Sequence, residues 1–385
     1  MRTNTSTSIT GIDSAAWDAL DAGGSPFLRH AFLASLESTG CVGAGTGWQP
    51  APVTLYDDRG LAAAAPAYIK GHSFGEFVFD FSWAQAYAQH GLAYYPKLVL
   101  GVPFTPASGA RLLIRPGLDP AKTRAALIAA IREFAESRNF SSIHGLFVAD
   151  DDREALAKDG WLARQDVQFH WHNDGYRDFD HYLESFTAEK RKKARRERRR
   201  VAEDGVTFDT LLGPELDRRS VDEIYDLHRD TFVRHGHEPY LTREFFQAMP
   251  KALGDNFMVK RARCRGETVA TAVFFWSTDA LYGRYWGASE QHHSLHFETC
   301  YHQGIEFCIQ RGIARFEPGT QGEHKVSRGF VPATTWSMHW IVDPRFRAAI
   351  GDYLRREGAH MEEYAREIDT HVPYRDARRS ARSKS

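Results

Sequence analysis

The densest set of chemically competent side chains falls in FEPGTQGEHKVSRGFVP, residues 316–332. The strand-like run IARFEP leads into it. Gly319 and Gly322 make a flexible turn, and Glu323, His324, Lys325 and Arg328 converge beyond that turn. A loop at the C-terminal edge of a strand is where α/β sheets present ligands. A lysine or arginine there can stabilise the oxyanion of a tetrahedral acyl-transfer intermediate, and His324 or Glu323 can remove an amine proton. The competing reading is a solvated, glycine-rich loop whose charges face water.

Two further stretches carry chemistry. EKRKKARRERRR, residues 189–200, holds nine basic side chains in twelve positions and a charge of +7, in a chain whose formal net charge is −1. It has no apolar stripe, so it does not read as a core helix. Like charges at i,i+4 spacing repel, so the run calls for an anionic partner. Three partners compete: the phosphates of a nucleic acid, an anionic lipid surface, and the chain's own acids at Asp150–Asp152 or Asp178–Asp180. Lys190, Arg191, Arg195, Arg196 and Arg199 are the candidate anion or tRNA contacts. In FVFDFSWAQAYAQHGLAYYPK, aromatics mix with a few polar groups, as in a pocket for a small acceptor. Tyr94, Tyr95 and Lys97 are the candidates to line it, whereas Phe77, Phe79 and Trp83 read as core.

Other chemistries find little support. His170 and His172 share a strand face, but no third ligand stands at a useful spacing, so no metal is expected. Cys41, Cys264, Cys300 and Cys308 show neither paired metal spacing nor disulfide density. Nucleophile-elbow, Walker and dinucleotide fingerprints are missing. No apolar run approaches the ~20 residues that span a bilayer, and the polar N-terminus MRTNTSTSIT lacks the order of a secretory signal. A cytoplasmic, reduced protein is expected.

The elements that must position these residues come in two similar halves. In the first, SPFLRHAFLASLES reads as a helix with Ser25 as N-cap and Pro26 at its first position. PVTLY and LAAAAPAYI form a hairpin through Asp57–Gly60, and PAKTRAALIAAIREFAES is an amphipathic helix. In the second, VDEIYDLHRDTFVRHG is helical. FMVKRAR and TVATAVFFW pair around Arg265–Gly266, LYGRYWGA follows, and the long helix HFETCYHQGIEFCIQRG leads into IARFEP. The like turns DDRG and RCRG suggest duplication of one α/β unit.

With that order in hand, LYGRYWGASEQHHSLHFETCYHQGIEFCIQRGIARFEPG resembles the donor-binding core of the GNAT superfamily, where a sheet splays open around a thioester or ester donor. In that family a loop of the form R/Q-x-x-G-x-G/A holds the pyrophosphate of coenzyme A at a helix N-terminus. Here it reads Gln291 to His296, with the glutamine kept and both glycines replaced. A side chain obstructs the backbone's approach to phosphate. The Fem-type transferases, tandem GNAT-like domains that use aminoacyl-tRNA, also lack those glycines. Together SPFLRHAFLASLESTG, EFVFDFSWAQAYAQHGLAYYPKLVLGVPFTPASG, QFHWHNDGYRDFDHYLESFTAEKRKKARRERR, PYLTREFF and FEPGTQGEHKVSRGFVP resemble the Fem-like (FemAB-type) N-acyltransferases over most of the chain.

The resemblance implies an α/β (α+β) fold of two tandem GNAT-like domains, each a mixed, mainly antiparallel sheet flanked by helices. Expected boundaries are an N-terminal domain at 1–176, a basic helical connector at 177–205, a C-terminal domain at 206–372 and a disordered basic tail at 373–385. It implies transfer of an acyl or aminoacyl group to an amine on a small molecule or peptide. The donor is acyl-CoA or aminoacyl-tRNA as co-substrate, and no cofactor is tightly bound. Gln291, Ser294, His296 and Phe330 are then donor-side residues, with Lys325, His324, Glu323 and Arg328 catalytic. The rival expectation is a nucleic-acid-binding or regulatory protein that keeps the fold without catalysis.

Overall fold

The computed structural model describes residues 1–289, 294–319 and 322–375. The chain divides into two compact units. One comprises 1–166, 240–245 and 334–362; the other comprises, among the described residues, those of 167–239, 246–333 and 363–375. The expected boundaries keep 206–372 together, whereas 240–245 and 334–362 group with the first unit.

In the first unit the strands Trp48–Pro50, Ala67–Lys70, Lys97–Leu100, Ser142–Gly145 and the 334–341 part of Val331–Ile341 lie side by side in that order. Lys97–Leu100 and Ser142–Gly145 are parallel; their other neighbours are antiparallel. One face is apolar: Leu98, Leu100, Ile143 and Met338 pack with Leu127, Ile128 and Ile131 of the helix Pro120–Ser137, which Asp119 caps. The opposite face carries Lys70, Lys97, His144 and His339, all buried. A second small sheet contains Val53–Asp57 and Gly60–Ala65. Pro66, which has no N–H to donate, separates Gly60–Ala65 from Ala67–Lys70, so the expected second hairpin arm is shared between two sheets. The helix expected from Ser25 also differs. Pro26–Leu28 is a single 3₁₀ turn, the α-helix is His30–Ser38, and Asp18 Oδ1 accepts from the His30 N–H at 2.7 Å.

The second unit repeats the strand logic. Val206–Leu212, Phe257–Cys264, Glu267–Trp276 and Ala280–Ala288 run antiparallel. Arg315–Glu317 then joins parallel, and the 167–172 part of Leu162–His172 closes antiparallel. Each unit therefore has an antiparallel run, one parallel pair and an antiparallel closing strand, as the duplication reading expects. The basic block lies in the helix Ala188–Glu203. No helix among the described residues is long and apolar enough to cross a membrane.

Candidate active site

The site starts from an interrupted pairing in the second unit. Ala280–Ala288 pairs with Arg315–Glu317 at three positions only: Ala280 with Arg315, Leu281 with Phe316 and Tyr282 with Glu317. At Pro318 the shorter strand ends, while the longer one continues to Ala288 along Glu267–Trp276. A bulge at Val273/Phe274, opposite 283–285, re-aims the side chains where the gap opens. Gly283 lies under the departing chain, and a Cβ there would stand 3.3 Å from Pro318 Cα. The result is a pocket of about 130 Å³ lined by Gly283, Arg284, Tyr285, Trp286, His296, Cys300, Tyr301 and Pro318, with Ala272–Phe274.

The helical run beside the gap is not uniform. Leu295–Phe297 is α-helical, Glu298–His302 is a π turn and Gln303–Arg311 is α-helical again. π turns inside helices recur at functional sites; this one was not expected from the spacing. It places Cys300 and Tyr301 on the pocket while burying Glu298 and His302.

The segment 323–328 forms a 3₁₀ turn. The Lys325 ammonium is buried and donates to Gly319 O at 2.7 Å. Burial lowers its pKa to about 7, with the nearby Cys300 thiol opposing that shift. His324 Nε2 lies 2.8 Å from the Tyr301 hydroxyl; burial and the charges of Lys325 and Arg328 favour its neutral form. Glu323 is exposed and accepts from Tyr364 Oη at 3.0 Å, which separates it from the other three. Arg328 is buried, donates from Nη1 to His324 O at 2.7 Å, and sits 3.4 Å from the centroid of the Phe297 ring. Phe330 is fully buried between Tyr301 and Phe316, with ring centroids 5.5 and 5.3 Å away. Two tyrosines fix the turn's exit: Tyr182 Oη donates to Arg328 O and Tyr374 Oη to Gly329 O. Only glycine fits at 329, since φ is +87° and a Cβ would meet Tyr182 Oη at 2.0 Å.

Of the residues expected on the donor side, His296 reaches the pocket wall and packs edge-on to Trp286, ring centroids 5.2 Å apart; burial lowers its pKa to about 4. Ser294 precedes the helix with a left-handed backbone, φ +68°. Gln291 lies outside the described residues.

The basic helix is not wholly solvated. Ala194, Glu197 and Val201 form a buried stripe at helical spacing. Glu197 accepts both its bonds from Arg328 Nη2, at 2.9 and 3.0 Å, and lies 3.7 Å from His302 Nε2. Arg198 reaches Glu298 at 3.1 Å and Glu306 at 2.8 Å. Arg195 pairs with Asp180, as one of the expected internal bridges, and Arg199 with Glu203. The other expected acids are engaged elsewhere: Arg124 pairs with Asp151 and Asp152. Arg196 is exposed, and Lys190 and Arg191 are half-buried.

In the first unit, Tyr94, Tyr95 and Lys97 do come together, but Tyr94 and Lys97 turn inward. Lys97 Nζ, with no exposed surface, bonds Ser73 and Glu76, each at 2.9 Å, and Asp80. The Tyr94 hydroxyl donates to Asp80 at 2.6 Å and touches His144 Nε2 at 3.2 Å, and His144 and His339 share an Nδ1–Nδ1 hydrogen bond of 2.6 Å. Burial opposes the charge on Asp80, yet Lys97, His144 and the Ser73 hydrogen bond together outweigh it and hold its pKa at about 2. Only Tyr95, half-buried with its hydroxyl on Ser73 at 2.8 Å, keeps a solvent edge. Among the described residues no group of three His, Cys, Asp or Glu side chains could hold a metal ion.

The comparisons with known proteins agree with this architecture. FemX aligns over 91% of this chain and 100% of its own, with TM-score 0.55 and 11% identity. L-PGS from Bacillus licheniformis aligns over 84% of this chain and 95% of its own, with TM-score 0.51 and 12% identity. At such identities the likeness speaks for the fold. No functionally curated protein is detectably similar in sequence. Residues 8–376 match the family model described as peptidoglycan biosynthesis/recognition, and the chain belongs to the FemAB-like family.

Proposed function

We propose that the protein is an N-acyltransferase that passes an acyl or aminoacyl group from a bound donor to an amine. The observation that carries this reading is the opening of the sheet beyond Tyr282 and Glu317, with the buried Lys325 bonded beside it at Gly319. The acceptor nitrogen attacks the donor carbonyl while both substrates are bound. The Lys325 ammonium stabilises the developing oxyanion. His324, neutral and bonded to Tyr301, takes the amine proton and returns it to the departing oxygen or sulfur. Collapse of the tetrahedral intermediate forms the amide and releases the tRNA hydroxyl or the coenzyme A thiol. FemAB-like membership and the names of the structural neighbours favour an aminoacyl donor, for which the basic helix, tied to Arg328 through Glu197, offers a phosphate grip. The expected setting is the cytoplasm, where both donor classes are made.

The exposed cations of that helix also suit the second reading, a nucleic-acid-binding protein without catalysis. Incubating the protein with bulk aminoacylated tRNA or acetyl-coenzyme A and a panel of amines separates the two. Donor consumption that Lys325→Ala abolishes supports transfer. Salt-sensitive tRNA binding with no donor consumed supports the binder.

A further inference from the structure

Residues 71–95, GHSFGEFVFDFSWAQAYAQHGLAYY, contain only two Asp, Glu, Lys or Arg side chains, Glu76 and Asp80. Both are buried and turned onto Lys97, with Lys70 3.9 Å from Glu76. Three phenylalanines around them are exposed instead. Phe74, Phe79 and Phe81 are 60, 52 and 42% exposed, and their rings touch one another, Phe74 to Phe81 at 5.5 Å and Phe79 to Phe81 at 5.9 Å. Leu92, in the same uncharged segment, is 39% exposed. Arg164, which donates to Phe79 O, is neutralised by Glu357.

A cluster of exposed phenylalanines is unusual on a soluble surface and marks a contact site. The loop does not depend on a neighbour for its shape: Ser73, Glu76 and Asp80 tie it to Lys97 from below, and Lys70 Nζ donates to Phe74 O at 3.1 Å. It presents apolar rings while withdrawing both carboxylates that would repel lipid phosphates. It offers no cation to grip a nucleic-acid backbone. We propose that this face is a lipid-interface contact, the three rings inserting between the headgroups of a phospholipid bilayer in the manner of the apolar side of an interfacial anchor. The inference is independent of the acyl-transfer reading.

Sedimentation with vesicles tests it, using phosphatidylcholine alone and phosphatidylcholine with phosphatidylglycerol, each at low and high salt. The full chain should bind both, with a component that survives high salt, because apolar insertion is not screened. Phe74→Ser, Phe79→Ser and Phe81→Ser combined should weaken that component roughly tenfold or more, and Phe79→Trp with Phe81→Trp should retain it. The second variant keeps the test decisive if the first folds poorly. Binding lost entirely at high salt overturns the proposal and assigns lipid contact to the basic helix, and a salt-resistant component unchanged in the serine variant overturns it by placing the insertion elsewhere on the chain. Ultracentrifugation showing a dimer that the serine variant dissolves, with no vesicle binding, overturns it in favour of a second copy of the chain.

Discussion

Glu197, in the middle of the basic block, holds the Arg328 guanidinium through both carboxylate oxygens, at 2.9 and 3.0 Å. The two residues are 131 positions apart, and both are buried. The bond ties the cation-rich helix to the turn that carries His324 and Lys325.

Breaking this pair from one side should be costly. Glu197→Ala leaves a buried guanidinium without its anion, and we expect a loss of about 3–5 kcal/mol in denaturant unfolding. Glu197→Leu combined with Arg328→Met should recover most of that loss. Burial works to raise the Glu197 carboxyl, but the neighbouring His302 and the charges of Arg328 and Lys193 outweigh burial and lower it. The pair's contribution is therefore full above the ordinary glutamate value of 4.5 and lost as pH falls through the lower folded value. A single mutant that unfolds no more easily than wild type at neutral pH would remove the pair from the account.

Lys325 supplies a pH signature. Its folded pKa of about 7 lies well below 10.5, so the folded state sheds the proton before the unfolded chain does. Folding stability should then rise with pH above about 7 and be flat below it on this account. Lys325→Met should be more stable than wild type at pH 6, with the difference shrinking toward pH 10. In catalysis, an oxyanion-stabilising ammonium predicts a fall in kcat as pH rises through about 7. Lys325→Arg, which stays charged, should move that alkaline limb upward. An unmoved limb assigns the titration to another group.

How far the sequence reaches is clear at particular residues. The duplication was legible because element order and the DDRG and RCRG turns are local signals. So was the helix at Pro120, whose cap at Asp119 is adjacent in sequence. The start of the His30 helix was not, because its N–H is capped by Asp18, twelve residues upstream. Nothing local in the sequence singles out Glu197, since its partner Arg328 lies 131 residues away. Lys97 looked ligand-facing for the same reason. Strand alternation places it on one face, but only the loop 71–80 decides whether that face meets solvent. The π turn at Glu298–His302 has no spacing signature, because it interrupts the helical period that the apolar residues otherwise keep.

Lys97 yields a test of that inward network. Lys97→Ala strands Glu76 and Asp80 in the interior and should cost about 3–5 kcal/mol. Tyr95→Phe, which removes one half-exposed hydroxyl, should cost less than about 1.5 kcal/mol. Asp80 adds an acid limit, since its contribution is full above the ordinary aspartate value of 3.8 and lost as pH falls toward about 2. Comparable losses from the two substitutions would mean that Lys97 is not the group on which the loop is anchored.

The basic helix separates structural from ligand-facing cations. Arg198 is engaged by Glu298 and Glu306, so Arg198→Gln should lower stability because it leaves the buried Glu298 without its cation. Lys192, Lys193 and Arg196 are exposed, and replacing all three with glutamine should leave the fold intact. If the helix grips tRNA, the triple variant should flatten the dependence of log affinity on log salt by up to about 3. Arg198→Gln, measured while still folded, should leave that slope nearly unchanged, because its charge is already spent on the chain's own carboxylates. A slope insensitive to the triple variant would place the phosphate contacts off this helix, and the +7 block would then serve the chain's internal ion pairs and a surface other than nucleic acid.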